Sequence, residues 1–552
     1  MREKDGNTAS KQLKKQLKDL FVHEQDTDQS TVAIVKGIPQ LSFSKDIPSS
    51  RMAPASSTAL FTSEDAKAAL NIFCCVCGIG SLGMPASYAR AGWTFATSAL
   101  VFMACANIYS SMVLSKVLLV APSTVKTYSD LGEWVAGTWG RLVVLVSQMG
   151  VCLLLPCAFL VLGGTILDVL FPDCFSQSEW IIFMALTVIP MALIPTMKES
   201  TGMALAGCLG TIVADVLGIS ILTYEMRGHP SPPPTNVTAH QVINTFGNLS
   251  LAYAAATVIP DLQRQHSQPE RMPRVIIISL TMASAFFVAV ALSGYSASGC
   301  QMSGNLLFSI VNTSDPSAVT SLGFTADRGA IVMTFLFMQM HLSVAFSTLL
   351  HPAFYMFERM ILKMHQVEPV MVMEGEDKHS YLDAPTPGDL ENTRPRESRR
   401  PMSSRHGSSR SRVSGYNRMV AEEDMSDYAG RKNVLRYVGL RLVLITTLVV
   451  LSIVLRDHFL DLVDFTGASF ITLSSLILPL FFYMKVYYHK LPVWEKFVCV
   501  VIAGSCTICG VYVVISSGQN LFHPSRNDGA PTFPYCTEAF QSEPYYVRDE
   551  VM

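Results

Sequence analysis

Eleven apolar stretches, each roughly 18 to 30 residues long, constrain this chain most, because each can cross a hydrocarbon layer about 30 Å thick as a helix. They lie at about 67–90, 94–120, 141–171, 179–197, 201–225, 240–262, 275–297, 328–360, 434–456, 462–486 and 493–516. Lipid offers no hydrogen bonds, so every backbone N–H and C=O in such a stretch needs a partner inside the protein. The expected fold is therefore all-α integral membrane, with eleven transmembrane helices. Composition agrees: 50% of 552 residues are hydrophobic and 15% charged, too apolar for a soluble chain of this length.

The basic residues set an orientation. The connections with Lys116, Lys126 and Arg141, with Lys198, with Arg264, Arg271 and Arg274, and with Lys485, Lys490 and Lys496 all fall on one side. Cytoplasmic loops carry the excess of Lys and Arg, which places the amino terminus inside and the carboxy-terminal tail outside. The expected organisation is a disordered cytoplasmic tail at 1–65, spans 1–8 within 66–362, a cytoplasmic loop at 363–433, spans 9–11 within 434–516, and an extracytoplasmic tail at 517–552. The loop contains "RPRESRRPMSSRHGSSRSR", too polar to bury a core and expected to be disordered. Its arginines have no aromatic or folded module beside them, so nucleic acid is not an expected partner. A basic, serine-rich run of this kind can bind anionic lipid and be released by phosphorylation.

Two glycosylation sequons, at Asn236 and Asn312, fall on the outer side; a third at Asn248 lies within the sixth span and reads as a chance match. Outside there are also Cys174, Cys300 and Cys536, an odd set that permits one disulfide and leaves its pairing open. The remaining cysteines sit in spans without His or acidic neighbours, so no metal site is expected.

One span contains "NIFCCVCGIGSLGMP", three glycines and a proline where helix breaking is most costly. Unwound backbone survives at membrane depth only when it lines protein or a water-filled cavity, and in secondary transporters such broken helices form the substrate site. Five spans later "FGNLSLAYAAATVIP" repeats the pattern. Five crossings reverse the orientation, so spans 1–5 and 6–10 read as an inverted repeat with broken helices 1 and 6 and an added eleventh. The first helix is expected to run to about Cys77, unwind over Gly78 to Ser81 and resume toward Pro85. Half-helix ends present N–H groups to a carboxylate and carbonyls to an ammonium or cation, which suits an amino acid.

The residues also carry a resemblance. "GxGxLxxP" at 78–85 with "YARAGW" at 88–93, and Asn71 seven positions earlier, resembles the first span of the amino acid/auxin permease family. "LAYAAATVIPDLQ" with "PERMPR", "GYSASG…GNLL", "HLSVAFSTLLHPAFYMFE" and "DFTGASFITLSSLILPLFFYMK" resemble its sixth, seventh, eighth and tenth spans in order. The resemblance covers about 65–516 apart from the loop, and places the chain in the amino acid-polyamine-organocation superfamily. It implies a LeuT-type 5+5 fold and proton- or sodium-driven amino acid symport. The sequence departs where relatives carry a Tyr-Ala-Gly-His string, here "YAAA" at 253–256, and at Cys74, where some have a second Asn.

Candidate substrate contacts are the backbone at Gly78, Ile79, Gly80 and Ser81 for a carboxylate, and Leu251, Ala252 and Tyr253 for an ammonium, with Tyr253 equally readable as a core aromatic. Candidates for coupling are Asn71, Asp215, His341 and Ser343, since ionisable groups inside a membrane are expensive. Each has a structural alternative, a hydrogen-bonded packing role; Ser343 and Ser347 can also bond their own helix. No catalytic residues and no cofactor are expected. The expected partners are a small amino acid and membrane lipid, the protein a monomer, and its membrane the plasma membrane or the vacuolar/lysosomal one. A non-transporting amino acid sensor on the same fold is the alternative.

Overall fold

The computed structural model describes residues 61–122, 125, 127–194, 200–229, 233, 235–313, 315–364, 428, 430–522, 533–537 and 540–541. The expected disordered segments at 1–65 and 363–433 lie almost wholly outside the described residues.

The described residues are helical, in the order α1 Ser63–Val76, α2 Met84–Val120, α3 Tyr128–Leu170, α4 Gln177–Ala192, α5 Ser200–Glu225, α6 Ala239–Ala252, α7 Ile259–Gln265, α8 Met272–Ser298, α9 Arg328–Phe357, α10 Arg431–Val454, α11 Phe459–Thr466, α12 Leu478–Tyr487 and α13 Val493–Phe522. Three helices begin with the same device: Thr62, Thr127 and Thr238 each accept from the N–H three residues on, while Asp65, Asp130 and Gln241 reach back. Eight helices among the described residues are long and apolar enough to cross a membrane. The chain is a multi-pass membrane protein.

The first two apolar stretches part inside α2. Gly92 takes φ 69° and ψ 158°, a conformation other residues resist, and this non-helical residue kinks the chain between the helix before it and the helix after it. Between α11 and α12 the helix continues as two π turns, Gly467–Ile471 and Leu473–Ile477. A π turn displaces carbonyls from their usual partners. Two are taken up from neighbouring helices: Ser110 donates to Ser475 O at 2.6 Å and Tyr128 to Ser474 O at 2.7 Å.

Two buried cores run through the bundle, one around α3, α4 and α9, the other around α1, α2 and α8. α10 and α13 turn Val443, Val450, Phe497 and Ile508 outward, the surface a helix shows to lipid. α13 runs to Phe522, six residues past the expected end of the last span, and 533–537 of the expected extracytoplasmic tail is packed onto the protein. Cys300 is joined to Cys536, and Cys174 is free and exposed.

Candidate functional site

The first interruption is shorter than the glycines suggest. α1 ends at Val76, Cys77 and Gly78 are non-helical, and a single helical turn, Ile79–Leu82, follows at once. The expected unwinding from Gly78 to Ser81 is therefore confined to its first residue, because the Ser81 N–H donates to Gly78 O at 3.0 Å, with the Ser81 hydroxyl 2.8 Å from the same oxygen. Of the expected carboxylate donors, the Ser81 amide is thus already used. In the second interruption α6 ends at Ala252, six residues of turn follow, and α7 begins at Ile259.

The two interruptions touch. A Cβ added to Gly80 would lie 2.8 Å from the Ala252 Cα, closer than real Cβ atoms approach, so only glycine permits this contact. The Cys75 thiol points at Ala254 O, 3.7 Å away. Leu251 and Ala252 are buried at this crossing. Tyr253 is a core aromatic: its hydroxyl shares a 2.8 Å hydrogen bond with Ser284 and its ring packs edge-on to Phe287.

α5 binds the first interruption. Asp215 is fully buried, and its Oδ2 accepts from Ser81 Oγ at 2.6 Å, while Oδ1 has no hydrogen-bond partner. His341 comes in from α9, its Nδ1 placed to donate to Gly207 O at 3.0 Å. Its Nε2 is buried without a partner and faces Gly78, where an added Cβ would sit 3.4 Å away. The chemistry is two unpaired buried acceptors, a carboxylate oxygen and an imidazole nitrogen, on the backbone break. Ser343 is not turned to this use: its hydroxyl donates to Gln339 O of its own helix at 2.9 Å, as Ser347 does to Ser343 O. Asn71 is half-buried on α1, two turns before the break.

Sequence reasoning missed a charged pair beyond the break. Arg90 Nη1 meets Asp464 Oδ2 at 2.8 Å, both side chains nearly buried. They line a small cavity together with Gly83, Ser87, Asn248 and Leu460. Asn248 donates to Ser87 Oγ at 3.1 Å, so the third sequon is interior. The signal for the pair was present, since Arg90 and Asp464 both sit inside apolar motifs. On the opposite side, ahead of the first apolar stretch, Asp65 faces Arg271 Nη2 at 3.0 Å and His266 Nε2 at 3.1 Å. Burial opposes its charge, but Thr62, Arg271 and His266 outweigh burial and hold the Asp65 carboxyl below its usual range. Asn236 is exposed, and the Asn312 amide donates to Val319 O at 3.2 Å within its loop. Among the described residues no cluster of His, Cys, Asp and Glu could hold a metal ion.

The family model described as transmembrane amino acid transporter protein matches residues 62–523. Amino acid transporter AVT1I of Arabidopsis thaliana is 26% identical over 245 residues, 43% of this chain and 60% of its own. Vacuolar amino acid transporter 4 of Saccharomyces cerevisiae is 23% identical over 245 residues, 42% of this chain and 34% of its own. The matches span about half the length of the curated relatives, 42% of amino acid transporter AVT1D and 56% of AVT1E among them. Among solved structures, a manganese transporter of Eremococcus coleocola in complex with an aromatic bis-isothiourea substituted compound aligns with TM-score 0.47 and 11% identity, over 85% of this chain and 88% of its own.

Proposed function

Because the chain belongs to the transmembrane amino acid transporter family, we propose that it is a secondary active transporter that moves amino acids across a membrane by alternating access, coupled to protons. The observation that carries this reading is the meeting of two interrupted helices at Gly80 and Ala252, with the Asp215 carboxyl bonded to the turn after the first. A LeuT-type 5+5 repeat accounts for the pair, with the substrate held between the half-helices. The amide groups beginning the Ile79–Leu82 turn take the substrate carboxylate, and the lone pair of His341 Nε2 accepts from its ammonium.

Asp215 is the coupling group. A proton bound on its unpartnered Oδ1 neutralises a buried charge, and the Ser81 bond transmits that change to the break. Sodium fits less well, because the Ser343 and Ser347 hydroxyls are committed to their own helix. One relative's name, a vacuolar amino acid transporter, supports a vacuolar or lysosomal membrane for this chain, with the plasma membrane as the alternative. Asn236 and Asn312 are the proposed glycosylation sites on its outer side.

Uptake of radiolabelled amino acids into proteoliposomes, with a proton or a sodium gradient imposed, tests the reading. Proton-driven accumulation is expected, and Asp215→Asn abolishes it while leaving amino acid exchange without a gradient. An amino acid that stabilises the protein but is never accumulated under either gradient makes the chain a sensor.

A further inference from the structure

The segment 533–537 lies against the outer end of the bundle and is held there by a disulfide and by backbone hydrogen bonds. Cys536 is bonded to Cys300, just past α8. The Tyr535 N–H donates to Cys300 O at 3.2 Å, the Asn236 N–H donates to Tyr535 O at 2.9 Å, and Thr235 bridges to Cys536. These ties fasten the segment to the connections after α5 and α8, not to α13, from which the chain arrives. Their effect is to place one side chain. Tyr535 is buried, and its hydroxyl accepts from Arg90 Nε at 3.1 Å while its ring lies 5.8 Å from the guanidinium carbon.

Arg90 is thus gripped on two edges, by Asp464 through Nη1 and by Tyr535 through Nε. The Arg90–Asp464 pair borders the cavity that holds Gly83 and Asn248, next to the first interruption. Opening that cavity outward requires Arg90 to separate from one partner or the other.

We propose that the disulfide-anchored carboxy-terminal segment is a lid on the outer mouth of this cavity, in which Tyr535 is a positioning residue that holds Arg90 on Asp464. The disulfide keeps the phenol within reach, so the mouth recloses without a search by a free tail. The lid rests on the transport reading only for its effect on uptake; its geometry stands without it.

The test labels a cavity cysteine from outside. Leu460→Cys, in a full-length background with the exposed Cys174→Ser, is exposed to a membrane-impermeant maleimide in oriented vesicles. Tyr535→Phe, which keeps the ring but removes the acceptor, is expected to raise the labelling rate about fivefold, the population shift produced by losing one ordinary hydrogen bond. Tyr535→Ala and the paired Cys300→Ser, Cys536→Ser change are expected to raise it further. Retained labelling of Tyr535→Phe at the parent rate overturns the lid, as does faster labelling that the conservative Tyr535→Phe shares with a distant control, Thr507→Ala on α13. Faster labelling in a protein that accumulates no amino acid keeps the lid and removes the transport reading.

Discussion

Ser81 carries more than its place in a glycine motif suggests. Its hydroxyl contacts both Gly78 O and Asp215, so Ser81→Ala strips the buried carboxylate of its one hydrogen-bond donor. The expected cost is about 1–3 kcal/mol of stability, read as a lower melting temperature of the purified protein. A sequence shows that Asp215 is an expensive residue but not which turn it faces, because their sequence separation of 134 is bridged only when α5 is rotated and packed. The glycines are different. Gly80 is legible as a break signal, and the structure adds that its missing side chain admits Ala252. Gly80→Ala therefore overpacks a backbone contact and costs about 1–3 kcal/mol. Gly439→Ala on α10, where an added Cβ meets nothing within 4 Å, is expected to be neutral or stabilising by about 0.5–1 kcal/mol. Melting curves of the two variants separate close approach from mere helix propensity.

Among the elements, helix content followed from apolar length, while the capped starts at Thr62, Thr127 and Thr238 and the pairing between helices were not read from it. Glu358 entered the sequence argument only through its spacing, and Arg441 not at all. In the structure they form a buried ion pair at 2.7 Å that ties the end of α9 to α10. Arg441 also donates to Ala192 O at 3.0 Å and Ile194 O at 2.8 Å at the end of α4, and its guanidinium lies over Phe354 and Tyr437. Tyr428, from the far end of the long loop, donates to Glu358 at 2.7 Å. One arginine of α10 thus gathers two helix ends, those of α4 and α9, that no local pattern links. Removing one charge leaves the other buried without its partner, so Glu358→Gln or Arg441→Met alone is expected to cost about 3–5 kcal/mol. The paired change Glu358→Leu with Arg441→Met is expected to cost less than either single change. A double-mutant cycle on thermal or denaturant unfolding measures the difference.

At the scale of the whole molecule, ionic contacts lie on either side of the two interruptions: Arg90 with Asp464 on one side, Asp65 with Arg271 and His266 on the other. The second tie joins the first turn of α1 to the connection between α7 and α8, so the half-helix before the break cannot swing away while it holds. Its response to pH follows from the direction of the Asp65 shift. A carboxylate held below its usual range contributes stability that is present above its unfolded value, about 4, and is lost as pH falls through the still lower folded value. The tie is therefore expected to hold from pH 8 to pH 5. Asp65→Asn, which also weakens the helix cap, is expected to lower stability by at least about 1 kcal/mol. Thermal unfolding of parent and variant across pH 3 to 8 checks it: the gap should be constant above pH 5 and shrink below about pH 4. A gap that does not shrink below pH 4 would overturn the tie.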